Sequence, residues 1–142
     1  MVLPRPIDDV FAFFSDAGNL ERITPGWLRF VIVTPAPIEL GEGAVIDYRL
    51  RLHGVPLNWR TLIGAWEPPH RFVDRQTSGP YARWVHEHRF ADLGGATLCA
   101  DSVSYRMHGG RAAHELQNAA VAAHDLRRIF GYRQQLMALI LG

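Results

Sequence analysis

The sequence predicts an α+β fold in which a curved antiparallel sheet is covered on its concave face by one long C-terminal helix. Three observations lead there. Apolar residues recur at helical spacing near the start of the chain, the stretch from Trp27 to Met107 alternates β-prone runs with turn signals, and about Arg111 to Leu141 contains no proline and carries an apolar stripe.

Pro6 suits the first turn of a helix, and Ile7, Val10, Phe11 and Phe14 follow at helical spacing. A short amphipathic helix is predicted from about Pro6 to Asp16, broken by Ala17-Gly18-Asn19. Leu20 to Thr24 adds a further helical turn, and Pro25-Gly26 closes the region. The turn signals Pro35 to Gly43, Gly54-Val55-Pro56, Pro68-Pro69, Gly79-Pro80 and Gly94-Gly95 then divide the middle into six strands. Their short connections favour an antiparallel meander, because parallel crossovers need a dozen or more residues. In the last helix Leu116, Ala120, Ala123, Leu126, Phe130, Met137 and Ile140 trace the apolar stripe. Its Ala-rich stretch, Ala119 to Ala123, allows either close packing on the sheet or unfilled volume beneath the helix.

With 142 residues, 48% of them hydrophobic and 20% charged, the chain is expected to form a single domain, residues 1–142, with one core. Fifteen basic side chains, all Arg, face fourteen acidic ones without forming a basic run, so nucleic acid is not an expected partner. One cysteine, Cys99, excludes an intrachain disulfide and a cysteine-based zinc site, which fits a reducing cytoplasm. No stretch approaches the length of a membrane span, and MVLPRPIDD does not read as a signal peptide.

The chemistry concentrates in RFVDRQTSGPYARWVHEHRF, residues 71–90. Strand alternation puts Phe72, Asp74 and Gln76 on one face, and Trp84, His86, His88 and Phe90 on one face of the next strand. A face holding Trp and Phe is normally a core face, so carboxylate, amide and imidazole groups on it need partners or a ligand. If Gln76 pairs with Trp84 across the Gly79-Pro80 turn, Asp74 falls opposite His86 and Phe72 opposite His88. A similar register at Leu93-Gly94 places Asp101 opposite His86 from the other side, with Cys99 beside His88 and Tyr105 further along.

Together, LPRPIDDVFAFFSDAGNLERITP, IDYRLRLHGVPLNWRTLI, the block from Trp66 to Phe90 and LRRIFGYR resemble a bacterial ligand-binding branch of the START-like (SRPBCC) superfamily, which includes Bet v 1, polyketide cyclases and coenzyme Q-binding proteins. The resemblance spans about Leu3 to Arg133. It implies a helix-grip fold with a cavity between sheet and C-terminal helix. Relatives usually have a strand of about ten residues before the LPRP segment. The chain starts two residues before Leu3, so most of that strand is expected to be missing. The strand from about Ala96 to Met107 would then present an open edge, through which a homodimer could form. At His108-Gly109-Gly110 relatives commonly carry a proline, so the cavity lip is expected to differ.

Two uses of the polar row follow. As a satisfied network, Asp74 and Asp101 hold His86 and polarise the wall of a binding cavity. As an acid/base site, His86 is the catalytic group, Asp74 and Asp101 orient it, and Tyr105 is a candidate proton donor. His86 and His88 also form a His-x-His pair that, with Asp74 or Asp101, is conceivable as a zinc or iron site. The resemblance is to a family not generally metal-dependent, and no metal or cofactor is expected. Beside His88 in the expected register, Cys99 is a conceivable nucleophile, but a lone Cys in a strand reads rather as a small buried hydrophobe, and no phosphate-binding loop is present. Ile46, Tyr48, Leu50 and Leu52, with Trp59, Thr61 and Ile63, supply an apolar wall. Arg127 and Arg133 have two readings, pairing with Asp74 or Asp101 or with an acidic ligand, and solvent exposure, of which exposure is the expected one. The expected function is binding of a hydrophobic or aromatic small molecule (lipid, isoprenoid or polyketide-like). The expected ligand contacts are Tyr48, Trp59, Phe72, Asp74, Gln76, Trp84, His86, His88, Asp101 and Tyr105. A cyclase/dehydratase-like enzyme and a protein-interaction module are the alternatives.

Overall fold

A computed structural model describes residues 1–109 and 112–142, without the side chains of 112–118. Helix α1 runs over Ile7–Phe14 and buries Val10 and Phe11. The break after it falls at Ser15-Asp16 rather than at Ala17-Gly18-Asn19. The Asp16 carboxylate accepts from the Gly18 amide, which caps α2, Ala17–Arg22, and lets Ala17, Gly18 and Asn19 form its first turn. A single 3₁₀ turn, Gly26–Leu28, hands over to the sheet.

The six strands expected between Trp27 and Met107 are β2 (Val31–Ile32), β3 (Val45–Leu52), β4 (Val55–Glu67), β5 (Arg71–Ser78), β6 (Arg83–Asp92) and β7 (Thr97–Arg106). A two-residue β1, Val2–Leu3, pairs with β7, and the sheet order is β1-β7-β6-β5-β4-β3-β2, antiparallel throughout. Two register shifts between β4 and β5, at Arg60/Thr61 and Ile63/Ala65, insert the extra residues that bend this pair of strands. The curvature gives the sheet a concave face for α3, Ala112–Leu141.

The expected first strand is thus present only as β1. The Met1 amine donates to Cys99 O and the Cys99 amide to Met1 O, both at 2.8 Å. Beyond Cys99 no strand among the described residues covers the outer edge of β7. The expected helix start at Arg111, and Gly110 of the altered lip, lie outside the described residues, as does the side chain of Leu116.

At one end of the concave face α1 is packed down tightly. Leu3, Val10, Phe11, Phe72, Phe90 and Cys99 form one buried cluster, with Phe11 edge-on to Phe72, Phe90 and Trp66. Further along, α3 presents Ala122, Asp125, Leu126, Ile129, Phe130, Arg133 and Met137 toward the sheet. This face differs from the predicted stripe. Ala120 is exposed, and Asp125 and Arg133 occupy inward positions that a search for apolar periodicity passes over.

Candidate functional site

The β5–β6 hairpin positions the site. Its pairing matches the expected register at two points, Phe72 opposite His88 and Asp74 opposite His86. Gln76 does not pair with Trp84. Its ladder partner is Thr61, and its side chain closes the turn, with Nε2 donating to Tyr81 O at 2.7 Å and Oε1 accepting from the Tyr81 amide at 3.0 Å. The amide is spent on the backbone, and Gln76 does not line the cavity.

Across β6–β7 the expected register is wrong by two residues. Asp101 stands opposite His88, Val103 opposite His86, Cys99 opposite Phe90, and Tyr105 opposite Trp84. The loop from Leu93 to Ala96 sets this pairing through the Leu93 amide bond to Ala96 O and the left-handed Gly94 and Gly95, so the turn is longer than the expected register allowed. Because the error is an even number, every side chain keeps its face. Asp101 therefore still reaches the imidazoles. Tyr105 packs against Tyr81 and Trp84 outside the cavity.

The side chains close into a ring of alternating carboxylates and imidazoles. His86 Nε2 lies 2.9 Å from Asp101 Oδ1, and His88 Nε2 lies 2.8 Å from Asp74 Oδ2. The return contacts are longer, His86 Nδ1 to Asp74 Oδ2 at 3.5 Å and His88 Nδ1 to Asp101 Oδ1 at 3.1 Å. Only the first two have hydrogen-bond geometry, and they assign Nε2–H as donor on each ring. His88 Nδ1 is buried at ion-pair distance from Asp101 without a directed bond. The rings lie 3.7 Å apart, and His88 stacks on Phe72 at 4.1 Å, which ties the polar ring to the apolar cluster under α1.

Burial is deepest at His86, whose side chain is 6% exposed. Asp101 sits on the edge strand with an exposed backbone, yet its side chain is only 24% exposed. These environments drive the titration of the two histidines apart. Burial lowers the His86 pKa, and the charge of His88 adds to that, more than the two carboxylates restore. Burial also opposes the charge of His88, but the hydrogen bonds and charges of Asp101 and Asp74 outweigh it and raise its pKa. Asp101, despite the burial that would raise it, is held far below the usual carboxylate range by its imidazole partners. Asp74 is displaced the same way. The ring thus displaces the two histidines in opposite directions, favouring the protonated form at His88 and the neutral form at His86.

Arg133 corrects the expectation of solvent exposure. It lines the cavity, Nη2 donates to Thr24 Oγ1 at 3.3 Å, Nε is buried without a partner among the described residues, and its charge acts on Asp74 and Asp101. The spacing Ala122, Asp125, Ile129, Arg133, Met137 would have revealed its face. Arg127 is exposed as expected. Asp125 is buried and held by His53 Nε2 at 2.8 Å from the β3–β4 turn, a link between hairpin and helix that no sequence reading identified.

A cavity of about 180 Å³ lies between sheet and α3. Its wall includes Ile46, Tyr48, Leu50, Trp59, Ile63 and Phe130, and Asp74, His86, His88, Asp101 and Arg133 form its polar end. Phe72 and Trp84 also line it. Tyr48 donates to Thr61 Oγ1, which also accepts from Trp59 Nε1 at 3.1 Å, and burial pushes the Tyr48 hydroxyl well above its ordinary pKa. Tyr48 is therefore a neutral hydroxyl at any ordinary pH. The buried Cys99 thiol is pushed up to about 11 by burial, which removes it as a nucleophile at neutral pH.

A family model described as polyketide cyclase / dehydrase and lipid transport matches residues 3–129. Among solved structures, the chain is similar to TTHA0849 from Thermus thermophilus (14% identity, 98% of this chain and 94% of that one, TM-score 0.71). It is similar to the Zhui aromatase/cyclase from Streptomyces sp. R1128 (16% identity, 95% and 88%, TM-score 0.67) and to Ara h 8.0201 (14% identity, 96% and 92%, TM-score 0.60). At these identities the likeness is one of fold. No curated protein sequence matches the chain.

Proposed function

The chain belongs to the polyketide cyclase / dehydrase and lipid transport family, and from that premise we propose that it binds a hydrophobic or aromatic small molecule between sheet and α3. The observation that carries this reading is a buried carboxylate–imidazole ring at one end of an otherwise apolar cavity. An amphipathic ligand, of lipid, isoprenoid or polyketide type, lays its apolar body against Tyr48, Trp59 and Phe130. It turns an oxygen-bearing end toward His86 and Arg133. Asp74, His88 and Asp101 hold those groups, and Phe72 and Trp84 complete the wall.

Native mass spectrometry of the protein purified from its expression host, followed by identification of the released molecule, tests the reading. A retained lipid or aromatic compound supports it. An empty protein that also fails to bind aliphatic and aromatic probes at millimolar concentration refutes it.

The separation of the two histidine protonation states favours a second reading, cyclase or dehydratase chemistry with His86 as the base. His86→Gln distinguishes the two, because a carrier retains binding with altered affinity whereas an enzyme loses turnover with little loss of fold. A third role, protein interaction through the open β7 edge, predicts a concentration-dependent dimer. A monomer by sedimentation across a wide concentration range counts against it. The reading places the protein in the cytoplasm. Among the described residues no helix is long and apolar enough to cross a membrane.

A further inference from the structure

Viewed by donor atoms, the carboxylate–imidazole ring has two unlike sides. Asp101 Oδ1 faces His86 Nε2 at 2.9 Å and His88 Nδ1 at 3.1 Å. Asp74 Oδ2 faces the opposite nitrogens, His86 Nδ1 at 3.5 Å and His88 Nε2 at 2.8 Å. Two neutral imidazoles carry only two N–H groups between them. If both are directed at Asp101, two nitrogen lone pairs and a carboxylate oxygen converge on the Asp74 side, an arrangement that requires a proton or a cation among them. With the His88 N–H on Nε2 a proton lies there and the imidazole stays neutral, at the cost of leaving the buried His88 Nδ1 without a hydrogen-bond partner.

We propose that Asp74 Oδ2, His86 Nδ1 and His88 Nε2 form a binding site for a divalent first-row transition metal, with Asp101 as the outer carboxylate that orients both imidazoles. Asp74, His86 and His88 each offer one ligand atom within 4.8 Å of those of the other two. For bonds of about 2.1 Å, the 2.8 and 3.5 Å spacings subtend roughly 85° and 115° at the ion, within the range of tetrahedral to octahedral coordination. His88 then moves its proton to Nδ1, which lies 3.1 Å from Asp101 Oδ1 and needs a reorientation of ring or carboxylate to direct a hydrogen bond to it. A ligating histidine whose second nitrogen donates to a carboxylate is the usual support of such sites. Here one carboxylate serves two histidines, and adjacent paired strands fix all four residues.

A site with two imidazoles and one carboxylate selects zinc, iron(II), cobalt or manganese over calcium or magnesium, and it leaves coordination positions free. With Arg133 beside it, the metal-loaded site carries one net positive charge. An anionic oxygen group, such as a carboxylate or enolate, is the ligand class that would balance it. The proposal goes beyond the small-molecule reading and stands without it, because metal binding is measured with no organic ligand present.

The test is titration of chelator-treated full-length protein with cobalt(II), followed by visible absorption and calorimetry, with zinc(II) in competition. One equivalent is expected to bind, with ligand-field bands of an N/O site that zinc abolishes. Asp74→Asn, His86→Gln and His88→Gln are each expected to weaken binding at least a hundredfold, and Asp101→Asn by about 10- to 100-fold. Affinity falls as pH falls, because protons compete with the metal for the ligand nitrogens and the Asp74 carboxylate. If these variants fail to fold, the unsubstituted protein still decides. Cobalt(II) must shift the NMR signals of two imidazole side chains out of the seven histidines. Absence of a one-to-one complex, or unchanged affinity in folded His86→Gln and His88→Gln, overturns the proposal and leaves the ring as a proton-balanced network.

Discussion

Two ends of one sheet face, built from the same pair of strands, have opposite fates. Under α1, Phe72 and Phe90 stack on each other, both meet Phe11 edge-on and Phe90 meets Phe14 edge-on, and the space is filled. Toward the hairpin turn from Phe72, along the same inward row, Asp74 and His86 face the cavity under α3, where volume remains. The difference comes from what covers each end. A short helix bearing Phe at positions 11 and 14 reaches the sheet, whereas α3 opposes it with the small Ala122 and the polar Asp125 and Arg133. His88 joins the halves, stacked on Phe72 and bonded to Asp74. A filled end can hold a polar ring rigid while an open end exposes it to a ligand.

The sharpest way to break this division is at the filled end. Phe11→Ala removes the ring that touches Trp66, Phe72 and Phe90, and a loss of about 3–5 kcal/mol is expected in denaturant unfolding. Because the ring rests on this cluster through Phe72, ligand affinity should fall as well.

Asp101→Asn is expected to cost less, about 1–3 kcal/mol at neutral pH, since the carboxylate is partly exposed. The pH dependence gives it a signature. The depressed Asp101 pKa means its contribution is present above the unfolded carboxylate value of about 4 and is lost as pH falls. The raised His88 pKa has the opposite sign. Its contribution is present below the unfolded value of about 6.5 and is lost as pH rises through the folded value. Unfolding curves across pH 3 to 9 should show a shallower acid limb in Asp101→Asn and a shallower alkaline limb in His88→Gln. Unchanged limbs would mean the ring does not titrate as a coupled unit.

Gln76→Leu should cost about 1–2 kcal/mol by removing both hydrogen bonds to the Tyr81 backbone, with ligand affinity unchanged because Gln76 lies behind the wall. At the open end, Leu50→Trp should leave stability within about 1 kcal/mol and reduce binding of hydrophobic probes at least tenfold, because the added ring enters existing volume. The smallest effect is expected at Arg60→Ala. The Arg60–Asp47 pair is solvent-exposed, and no shift in melting temperature should be detectable.

Local chemistry accounts for what was legible in advance. Alternation placed Asp74, His86 and His88 on one face, and antiparallel order followed from connections too short for crossovers. The two-residue error in the β6–β7 register arose because turn length is decided by which glycines adopt left-handed conformations. Its even size left the faces intact. Solvent exposure is the simpler reading of Arg133 because apolar periodicity discards charged residues, although its spacing from Ile129 and Met137 is helical. Gln76 reads as a ligand contact in the sequence because its competing partner, the Tyr81 backbone, exists only once the turn closes.

By itself, then, the sequence determined the order of elements, the face on which each side chain stands and the chemical types available there, since these follow from backbone periodicity. Tertiary structure alone decided that Asp101 serves both histidines, that Arg133 and Asp125 turn inward, and that volume remains at one end. Those features depend on distances between strands and on the height of α3 above the sheet, which arise only when segments distant in sequence pack together.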